Sequence, residues 1–409
     1  SYFHHRPGRP YEPRDDHAGE LLVTANERDY AADTHWLRAD VDAFLAERVR
    51  EAGIPLLEET EVLRVGEAVG GTGSWAVGAR GVEGALEIEA DWIVEATGGR
   101  GPLERSLGIS RSRDQLRTRS SALFAHFRGV RRWEEILREQ GGSTDDHPFR
   151  CDEAALHHVC DEGWMWVLRF ADERVSAGFV LPDSLSPEEP IDWDTLLGRY
   201  PSIARQFEHA TVVDPPGRIV RTGRLQHRAR RIADAGWALL PSAAGFSGPL
   251  HSTGIAHTLL GVERLGELFE RLSSTRSRAA DAASETDLRA YEQTVSRELE
   301  FVDALVALAH RALPSFRLFR SACLYYFAAV TRYERRRLAG ESSAFLCADE
   351  PRLREALDAA LRRIPWKGRP DEEAVDSFEA FTERALEPFD EVGLFEPPVP
   401  NMYPHTAPS

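Results

Sequence analysis

One segment, Gly236 to Ile255, constrains the fold more than any other part of the chain. It begins with an apolar run typical of a buried strand, passes through a glycine-rich stretch at 245–254, and leads into a helical pattern. Strand, glycine-rich turn and helix in this order are the repeating unit of α/β folds. The sequence therefore predicts an α/β domain built around this junction.

The same junction has the properties of an anion site. Ser252 or Thr253 is placed to cap the helix, and Gly254 allows the backbone to approach a ligand closely. The free N–H groups and the positive dipole end of a helix favour a negative charge. The plainer interpretation, a capped helix that follows a loop, stays open at this point.

Upstream of the junction, the pattern predicts one helix followed by strands. Apolar residues repeat at helical spacing from Leu37 to Val49, and Gly53 follows the expected helix end. The expected strands are 53–57, 61–65, 74–79, 85–88 and 91–96. The last of them leads into Thr97-Gly98-Gly99, where the chain must turn sharply.

The rest of the chain divides into a β-rich region and a helical region. Strands are expected at 122–130, 164–170 and 176–181, separated by turns rich in proline and aspartate. From Ile255 onward, helices are expected at 255–273, 286–311, 314–337 and 350–362.

Charge and composition exclude several classes of protein. The chain has 67 acidic and 50 basic residues, a net charge of −17, so little attraction for nucleic acid or anionic membrane is expected. It has neither an apolar run long enough to span a membrane nor an apolar signal-peptide core, so we expect a cytoplasmic protein with no membrane partner. The four cysteines form no CxxC pair, which fits free thiols in a reducing compartment.

Two local patterns match functional motifs without the required context. Gly71-Thr-Gly-Ser-Trp-Ala76 matches the dinucleotide pattern GxGxxA, but a β-like run follows where a phosphate loop needs a helix, so a hairpin turn is predicted. A second group consists of Cys151, His157, His158 and Cys160. Zinc usually requires tighter pairs and a second pair elsewhere, so no metal site is predicted there.

Three segments, in this order, resemble FAD enzymes of the p-hydroxybenzoate hydroxylase class. The segment from His35 to Leu45 is similar to the helix whose arginine reaches the flavin, and Ala96-Thr97-Gly98 is similar to the ATG turn of that class. The third segment, Pro249-Leu-His-Ser-Thr-Gly-Ile255, resembles the PLxSTGI sequence of tryptophan-halogenase-like proteins.

Two further segments strengthen the resemblance to flavin-dependent halogenases. Gly163-Trp-Met-Trp-Val-Leu168 resembles their WxWxIP signature, and the helical stretch from Leu318 to Ala329, with Glu334 and Arg335, resembles their C-terminal part. The resemblance therefore extends over most of the chain.

The resemblance implies a fold and a set of site residues. The fold is α/β, with an FAD-binding Rossmann-like domain that is incomplete at its N-terminus, an inserted β-rich substrate layer and a C-terminal helical region. The implied segments are 1–114 and 231–275 for the FAD-binding domain, 115–230 for the substrate layer, and 276–409 for the helical region. The implied FAD contacts are Arg38, Val62, Thr97, Gly98, Ser242, Pro249, Gly254 and Ile255. The implied catalytic residues are His251, Ser252, Thr253 and Gly254, of which the amides of Thr253 and Gly254 would hold the halide.

The resemblance also implies an activity. Reduced FAD, oxygen and chloride or bromide would produce hypohalous acid, which halogenates an electron-rich aromatic substrate beside an active-site lysine. A separate flavin reductase would supply the reduced FAD. The family's lysine lies upstream of the position matching Ser1, and Lys367, the chain's only lysine, does not match it. Since the chain also lacks a start methionine, we expect it to begin inside a longer protein whose upstream part should carry the pyrophosphate loop. The family's lysine is either in that part or absent.

Departures from the family pattern leave two alternatives open. Tryptophan-specific enzymes have Glu where this chain has His251, Arg169 replaces a proline, and Pro241-Ser242 replaces a Gly-Asp pair that binds the ribityl chain. One alternative is an FAD-dependent monooxygenase or reductase without halide chemistry, and the other is a non-catalytic remnant that lacks the pyrophosphate loop. His251 is expected either to bond the loop backbone or to hold a proton beside the flavin. For Trp164 and Trp166, the alternative to a role in the family's signature is ordinary packing in the core.

Overall fold

A computed structural model of the chain describes residues 1–24, 34–68, 74–183, 191–273, 278–364 and 370–404. The chain forms two compact units. The first unit contains Ser1–Trp36, Thr118–Leu225 and Ala304–Ser409, and the second contains Leu37–Arg117 and Gln226–Asp303. Lys367 and the GxGxxA glycines, together with the turn expected there, lie outside the described residues.

The strands have two to nine residues each. In chain order they are β1 Tyr2–His4, β2 Glu20–Val23, β3 Glu61–Glu67, β4 Trp75–Gly81, β5 Gly84–Ala90, β6 Ile93–Glu95, β7 Arg111–Ser112, β8 Ser120–Arg128, β9 Leu156–Cys160, β10 Gly163–Arg169, β11 Val175–Pro182, β12 Thr211–Asp214, β13 Val220–Arg221, β14 His227–Ala229, β15 Ala233–Asp234, β16 Trp237–Leu239, β17 Gly245–Phe246 and β18 Met402–Tyr403.

The long helices lie in the C-terminal part of the chain. In chain order the helices are α1 Arg38–Glu51, α2 Pro102–Ser106, α3 Trp133–Glu139, α4 Trp193–Arg199, α5 Pro201–Gln206, α6 Pro241–Ala244, α7 Gly254–Ser273, α8 Arg278–Ala312, α9 Phe316–Leu338, α10 Pro351–Arg363 and α11 Glu372–Leu386, with 3-10 turns at Leu250–Ser252, Phe345–Cys347 and Glu387–Phe389.

A nine-stranded sheet forms the centre of the first unit. Its order is β12-β8-β11-β10-β9-β1-β2-β18, and β13 also pairs with β8. The strands β10 and β11 are largely buried because apolar side chains occupy both of their faces. At Gly178 a Cβ atom would lie 2.3 Å from the ring of Trp166, so only glycine fits opposite that indole.

Three small sheets form the second unit. Their orders are β17-β14-β7, β15-β16-β6 and β3-β4-β5. The strands β16 and β6 are parallel, with Trp237 opposite Ile93 and Leu239 opposite Glu95. The buried core of this unit collects apolar residues from β16, α6, α7 and the first half of α8.

The predicted α/β class, with a β-rich region and a helical C-terminal region, is confirmed. The domain boundaries proposed from the sequence remain a prediction. One expected strand is wrong: residues 53–57 form an exposed connection rather than a strand. Pro55 has no N–H to donate to a ladder, and Ile54, Leu56 and Leu57 are exposed.

The helix expected from Leu37 to Val49 is α1, but its apolar residues are not buried, since Phe44 and Leu45 are both half exposed or more. A strand, β4, follows the GxGxxA sequence where a phosphate loop would need a helix, as expected. No helix in the described part of the chain is both long and apolar enough to cross a bilayer.

Candidate functional site

The two parallel strands of the second unit bring two predicted site segments to one sheet edge. Since β6 and β16 run in the same direction, the chain leaves both of them at their carboxyl ends. The amide of Leu240 donates to the carbonyl of Glu95 at 3.0 Å and extends this pairing by one step. Thr97 and Gly98 therefore emerge beside Ser242, in the place where open α/β sheets bind their ligands.

The turn after β6 is exposed and has room above it. Gly98 has φ +68°, a conformation that favours glycine, and a Cβ atom at Gly98 or Gly99 would meet nothing within 4 Å. The amide of Gly99 donates to the carbonyl of Thr97 at 2.8 Å and closes the turn. The geometry leaves an open backbone surface at Thr97 and Gly98.

A buried ion pair holds this turn against α6. Arg111 donates to the carboxylate of Glu104, to the carbonyl of Gly99 at 2.6 Å, and to the carbonyl of Ala243 at 3.1 Å. The side chain of Glu104 is fully buried, so the guanidinium supplies its charge partner inside the unit. Ser242 lies next to Ala243 on α6, which places it beside the Thr97–Gly99 turn.

Glu95 is a second buried carboxylate at this edge. It accepts the amide of Leu103 at 3.0 Å, at the start of α2. A Cβ atom at Gly101 would lie 2.2 Å from the carboxylate of Glu95, so glycine is required there. The carboxyl end of β6 is thereby fixed to the helix that follows it.

The glycine-rich loop contains two consecutive residues with left-handed backbone conformation. His251 has φ +71° and Ser252 has φ +51°, and neither is a glycine. Such residues cost of order 1–3 kcal/mol each and cluster at ligand-binding sites. The loop is held by the amide of Ser252, which donates to the carbonyl of Pro249 at 3.1 Å, and by Gln226, which donates to the carbonyl of Ser247 at 3.0 Å.

The strained turn delivers the chain into the first turn of α7. Helix α7 has 20 residues and no acidic residue in its first turn, so its N-terminal amides face no competing carboxylate there. Gly254 and Ile255 are exposed, Thr253 is buried, and a Cβ atom at Gly254 would meet nothing within 4 Å. The amide of His257 donates to the carbonyl of Thr253 at 3.0 Å, which marks Thr253 as the residue that precedes the helix.

Close packing fixes α7 beside the end of β16. A Cβ atom at Gly261 would lie 2.3 Å from the ring of Pro241, so α6 and α7 meet at a glycine. The hydroxyl of Tyr291 donates to the carbonyl of Leu239 at 2.9 Å. The predicted residues Ser242 and Gly254 thus lie on two helices that pack directly against each other.

A buried charged group supports the first turn of α7. His257 pairs with Glu298 at 2.9 Å, and Arg264 donates to both oxygens of Glu298 at 2.8 and 2.7 Å. Burial alone would raise the pKa of Glu298, but the hydrogen bonds and charges of His257 and Arg264 outweigh it and lower the pKa to about 2. Glu298 therefore holds a negative charge in the interior and anchors α7 to α8.

The remaining predicted contacts lie elsewhere in the second unit. Arg38 forms a two-point ion pair with Asp42 on its own exposed helix, at 2.9 and 3.0 Å. Val62 lies on β3, opposite Ala79, and packs against the unit's core. Pro249 is half buried in the loop. Among the described contacts none joins Arg38 or Val62 to the 245–255 loop, so their role as flavin contacts stays a prediction.

Trp164 and Trp166 belong to the first unit, on β10. Trp164 is buried and its indole N–H donates to His310 at 3.2 Å, while Trp166 is half buried and donates to Ser176 at 3.2 Å. The two rings are 6.1 Å apart. Both indoles are thus part of a packed sheet face with satisfied N–H groups.

Sequence reasoning missed the buried ionic residues that hold the site. Glu298 is the one with a detectable signal, because it falls on the apolar stripe of α8 that includes Tyr291, Val295 and Val302. A charged residue on such a stripe indicates a buried partner. Arg111 and Glu104 give no comparable signal, since both occur in a polar stretch.

Comparison with known proteins supports the motif-based resemblance. No protein-family model matches the chain. Over 326 residues it is 26% identical to the monodechloroaminopyrrolnitrin halogenase PrnC of Pseudomonas fluorescens, a match that covers 77% of this chain and 53% of that protein. Over 246 residues it is 28% identical to the tetracycline 7-halogenase of Kitasatospora aureofaciens, a match that covers 55% of this chain and 40% of that protein. The chain spans about half the length of these curated relatives, or less.

Solved structures match over nearly the whole chain. The crystal structure of halogenase PltM superposes with a TM-score of 0.78 and 20% identity, and the match covers 96% of this chain and 80% of that one. A structure of PltM in complex with phloroglucinol and FAD gives a TM-score of 0.77, also at 20% identity. These likenesses show the fold: the chain is an α/β protein built like the solved halogenases. Together with the two curated matches, they support the resemblance to flavin-dependent halogenases that the motifs predict.

Proposed function

We propose that this chain carries the flavin-ring and halide part of an FAD-dependent halogenase that acts on an electron-rich aromatic substrate. The observation that carries the proposal is the pair of left-handed residues, His251 and Ser252, directly before the open amide end of α7. Backbone strain of this kind persists where the surrounding structure requires it, and here it directly precedes a helix N-terminus whose glycine has open space around it.

The backbone at this edge fits a flavin ring and a small anion. Gly98, Gly99 and Gly254 all have space where a side chain would stand, so a flat ligand approaches the backbone at three points. In the proposal, Thr97, Gly98, Ser242, Pro249 and Ile255 contact the ring or its ribityl chain. Arg38 and Val62 complete the flavin contacts that the family pattern assigns.

The amides of Thr253 and Gly254 hold the halide in this proposal. Two convergent N–H groups at a helix N-terminus suit an ion with one negative charge, and no carboxylate of the first helical turn repels it. His251, whose side chain is buried in the loop, holds a proton near the ring. Ser252 keeps the turn in the geometry that directs both amides to one point.

The bound cofactor supplies the two electrons that reduce oxygen to water while the halide is oxidised. The balanced reaction takes aromatic C–H, halide, oxygen, reduced FAD and one proton to aromatic C–halogen, oxidised FAD and two waters. The chain's own residues bind the halide and orient the ring. The reduced FAD comes from a separate flavin reductase in this proposal.

The substrate class follows from the relatives. PrnC is a halogenase of monodechloroaminopyrrolnitrin, and PltM binds phloroglucinol, so an electron-rich ring is the proposed substrate. Chloride or bromide is the second substrate.

We place the protein in the cytoplasm because its four cysteines are buried free thiols.

Product analysis tests the proposal. The purified protein is given chemically reduced FAD, oxygen, chloride or bromide, and phloroglucinol as the probe, and products are measured by mass spectrometry. Incorporation of one halogen, with bromide competing against chloride, supports the proposal. A hydroxylated product without halogen would instead identify a monooxygenase, and FAD binding with no product in either assay would contradict catalysis by this chain.

A further inference from the structure

A cluster of metal-ligating side chains lies in the first unit, apart from the proposed flavin site. Glu20 begins β2, His17 lies in the turn before it, and His147 lies in the loop after α3. One ligand atom from each of the three lies within 4.8 Å of the other two. Chain segments that are far apart in sequence are therefore joined by three side chains of metal-binding type.

The geometry of the cluster converges on one carboxylate oxygen. Nδ1 of His17 is 3.0 Å from Oε2 of Glu20, and Nε2 of His147 is 3.1 Å from the same oxygen. Tyr11 donates to the other oxygen, Oε1, at 2.9 Å and so fixes the orientation of the carboxylate. Two imidazole nitrogens and one carboxylate oxygen are thus gathered within 4.8 Å of one another.

The cluster is buried. The side chains of Glu20 and His147 are 3% and 2% exposed, and that of His17 is 9% exposed. A buried carboxylate costs several kcal/mol unless it is paired, and the partners of Glu20 are a tyrosine hydroxyl and two imidazole nitrogens. His147 has its other ring nitrogen, Nδ1, buried without a hydrogen-bond partner among the described residues.

The hydrogen-bond pattern of His17 favours a cation at the cluster. Its second nitrogen, Nε2, faces Oδ2 of Asp146 at 3.4 Å, so each ring nitrogen faces a carboxylate. With a metal ion on Nδ1, the neutral ring donates Nε2–H to Asp146, which is the outer arrangement usual for metal-bound histidines.

We propose that His17, Glu20 and His147 bind a Zn²⁺ ion, with a water as the fourth ligand and Asp146 as the outer partner of His17. Zn–N and Zn–O bonds of about 2.0–2.2 Å place ligand atoms roughly 3.3 Å apart in a tetrahedron. The two N–O separations, 3.0 and 3.1 Å, are close to this value. Two imidazoles favour zinc over magnesium or calcium, which take oxygen ligands. The ion ties the start of β2 to the loop after α3.

Metal titration of the full chain tests the proposal. After chelator treatment, we expect the protein to bind one Zn²⁺ per chain, with a rise in melting temperature that a chelator reverses. Glu20→Gln and His147→Gln lose this binding. The matched control His126→Gln, which removes another histidine paired with a carboxylate of the first unit, retains it.

Asp146→Asn keeps the test decisive if a core variant fails to fold, because Asp146 is exposed. Loss of an outer partner is expected to weaken zinc affinity about 10-fold. Cobalt substitution gives a second readout: visible bands of four-coordinate Co²⁺ without a thiolate charge-transfer band support a His₂Glu site. Zinc binding by Glu20→Gln equal to that of the unchanged chain, a thiolate band, or no retained zinc would overturn the proposal.

Discussion

The guanidinium of Arg111 donates a hydrogen bond to the backbone carbonyl of Ala243, 3.1 Å away, across the carboxyl edge of the β6–β16 pair. The same guanidinium contacts the carbonyl of Gly99 and the buried carboxylate of Glu104. One side chain thus sets the spacing between the Thr97–Gly99 turn and α6. This contact couples the turn to the helix that carries Ser242.

Removing that side chain is expected to destabilise the second unit. Arg111→Gln leaves Glu104 buried without its charge partner, so we expect the free energy of unfolding to fall by about 3–5 kcal/mol. The free energy of unfolding is measured by chemical denaturation. The double variant Arg111→Gln/Glu104→Gln is the control, because it buries no charge and should lose less than the single variant. A loss below about 1 kcal/mol for Arg111→Gln would mean that the pair does not hold the site.

Strain in the loop is expected to be measurable at Ser252. This residue is exposed with φ +51°, so Ser252→Gly removes no buried contact and relieves the left-handed conformation. We expect the free energy of unfolding to rise by about 0.5–1 kcal/mol and the halogenation rate to fall as the loop loosens. Ser296→Gly, in the interior of α8, is expected to destabilise instead. Equal loss of stability in both variants would contradict a strained turn.

The charge of Glu298 predicts a specific acid dependence. Its pKa lies at about 2, below the ordinary 4.5, so its stabilising contribution is fully present above about pH 4.5. That contribution disappears as the pH falls from about 4.5 toward about 2. The difference in unfolding free energy between the unchanged chain and Glu298→Gln should therefore shrink by up to about 3 kcal/mol over this interval.

Glu300→Gln is the matched control for this pH series. Glu300 is on the same helix but half exposed, where it pairs with Arg228, and surface pairs contribute little. The unfolding free energies of the unchanged chain and of both variants are measured from denaturation curves at several pH values. A Glu298→Gln difference that stays constant with pH would contradict the buried ion pair.

The packing of Trp166 is testable at Gly178. A methyl group there collides with the indole at 2.3 Å and with Phe124 at 2.6 Å, so Gly178→Ala should cost about 1–3 kcal/mol. Gly198→Ala, at an exposed position of α4, meets nothing within 4 Å and should stabilise by up to about 1 kcal/mol. Melting temperatures of the two variants should move in opposite directions, and a common direction would refute the close contact.

Sequence patterns predicted the parts of the fold in which periodicity and burial agree. The β10–β11 hairpin, α7 and the turn at Gly98 belong to this group, because local patterns specify them. The stretch 53–57 was mispredicted, since its apolar residues are exposed and Pro55 breaks the ladder. Helix α11 was not anticipated, although Asp371 caps its first turn by accepting from Ala374.

The candidate site was predictable where the backbone itself forms it. The glycine-rich loop indicated Gly254, because the need for a bare backbone shows directly in residue type, and Thr253 followed as a candidate cap of the next helix. The supports of the site depend on contacts between distant residues, as when Arg111 reaches Ala243. The His17–Glu20–His147 cluster was missed for the same reason, since His147 lies more than a hundred residues from the other two and the three match no spacing motif.

The most direct test of the account compares two glycines of α7. Gly254→Ala places a methyl group in the open space before the helix, where the proposed halide and flavin meet, without a clash in the protein. Gly266→Ala makes the same change in mid-helix, where nothing lies within 4 Å. Halogenation of phloroglucinol with reduced FAD and bromide is measured for both variants and for the unchanged chain. We predict a loss of about 100-fold for Gly254→Ala, with Gly266→Ala unchanged, and equal rates in the two variants would contradict an anion site at the start of α7.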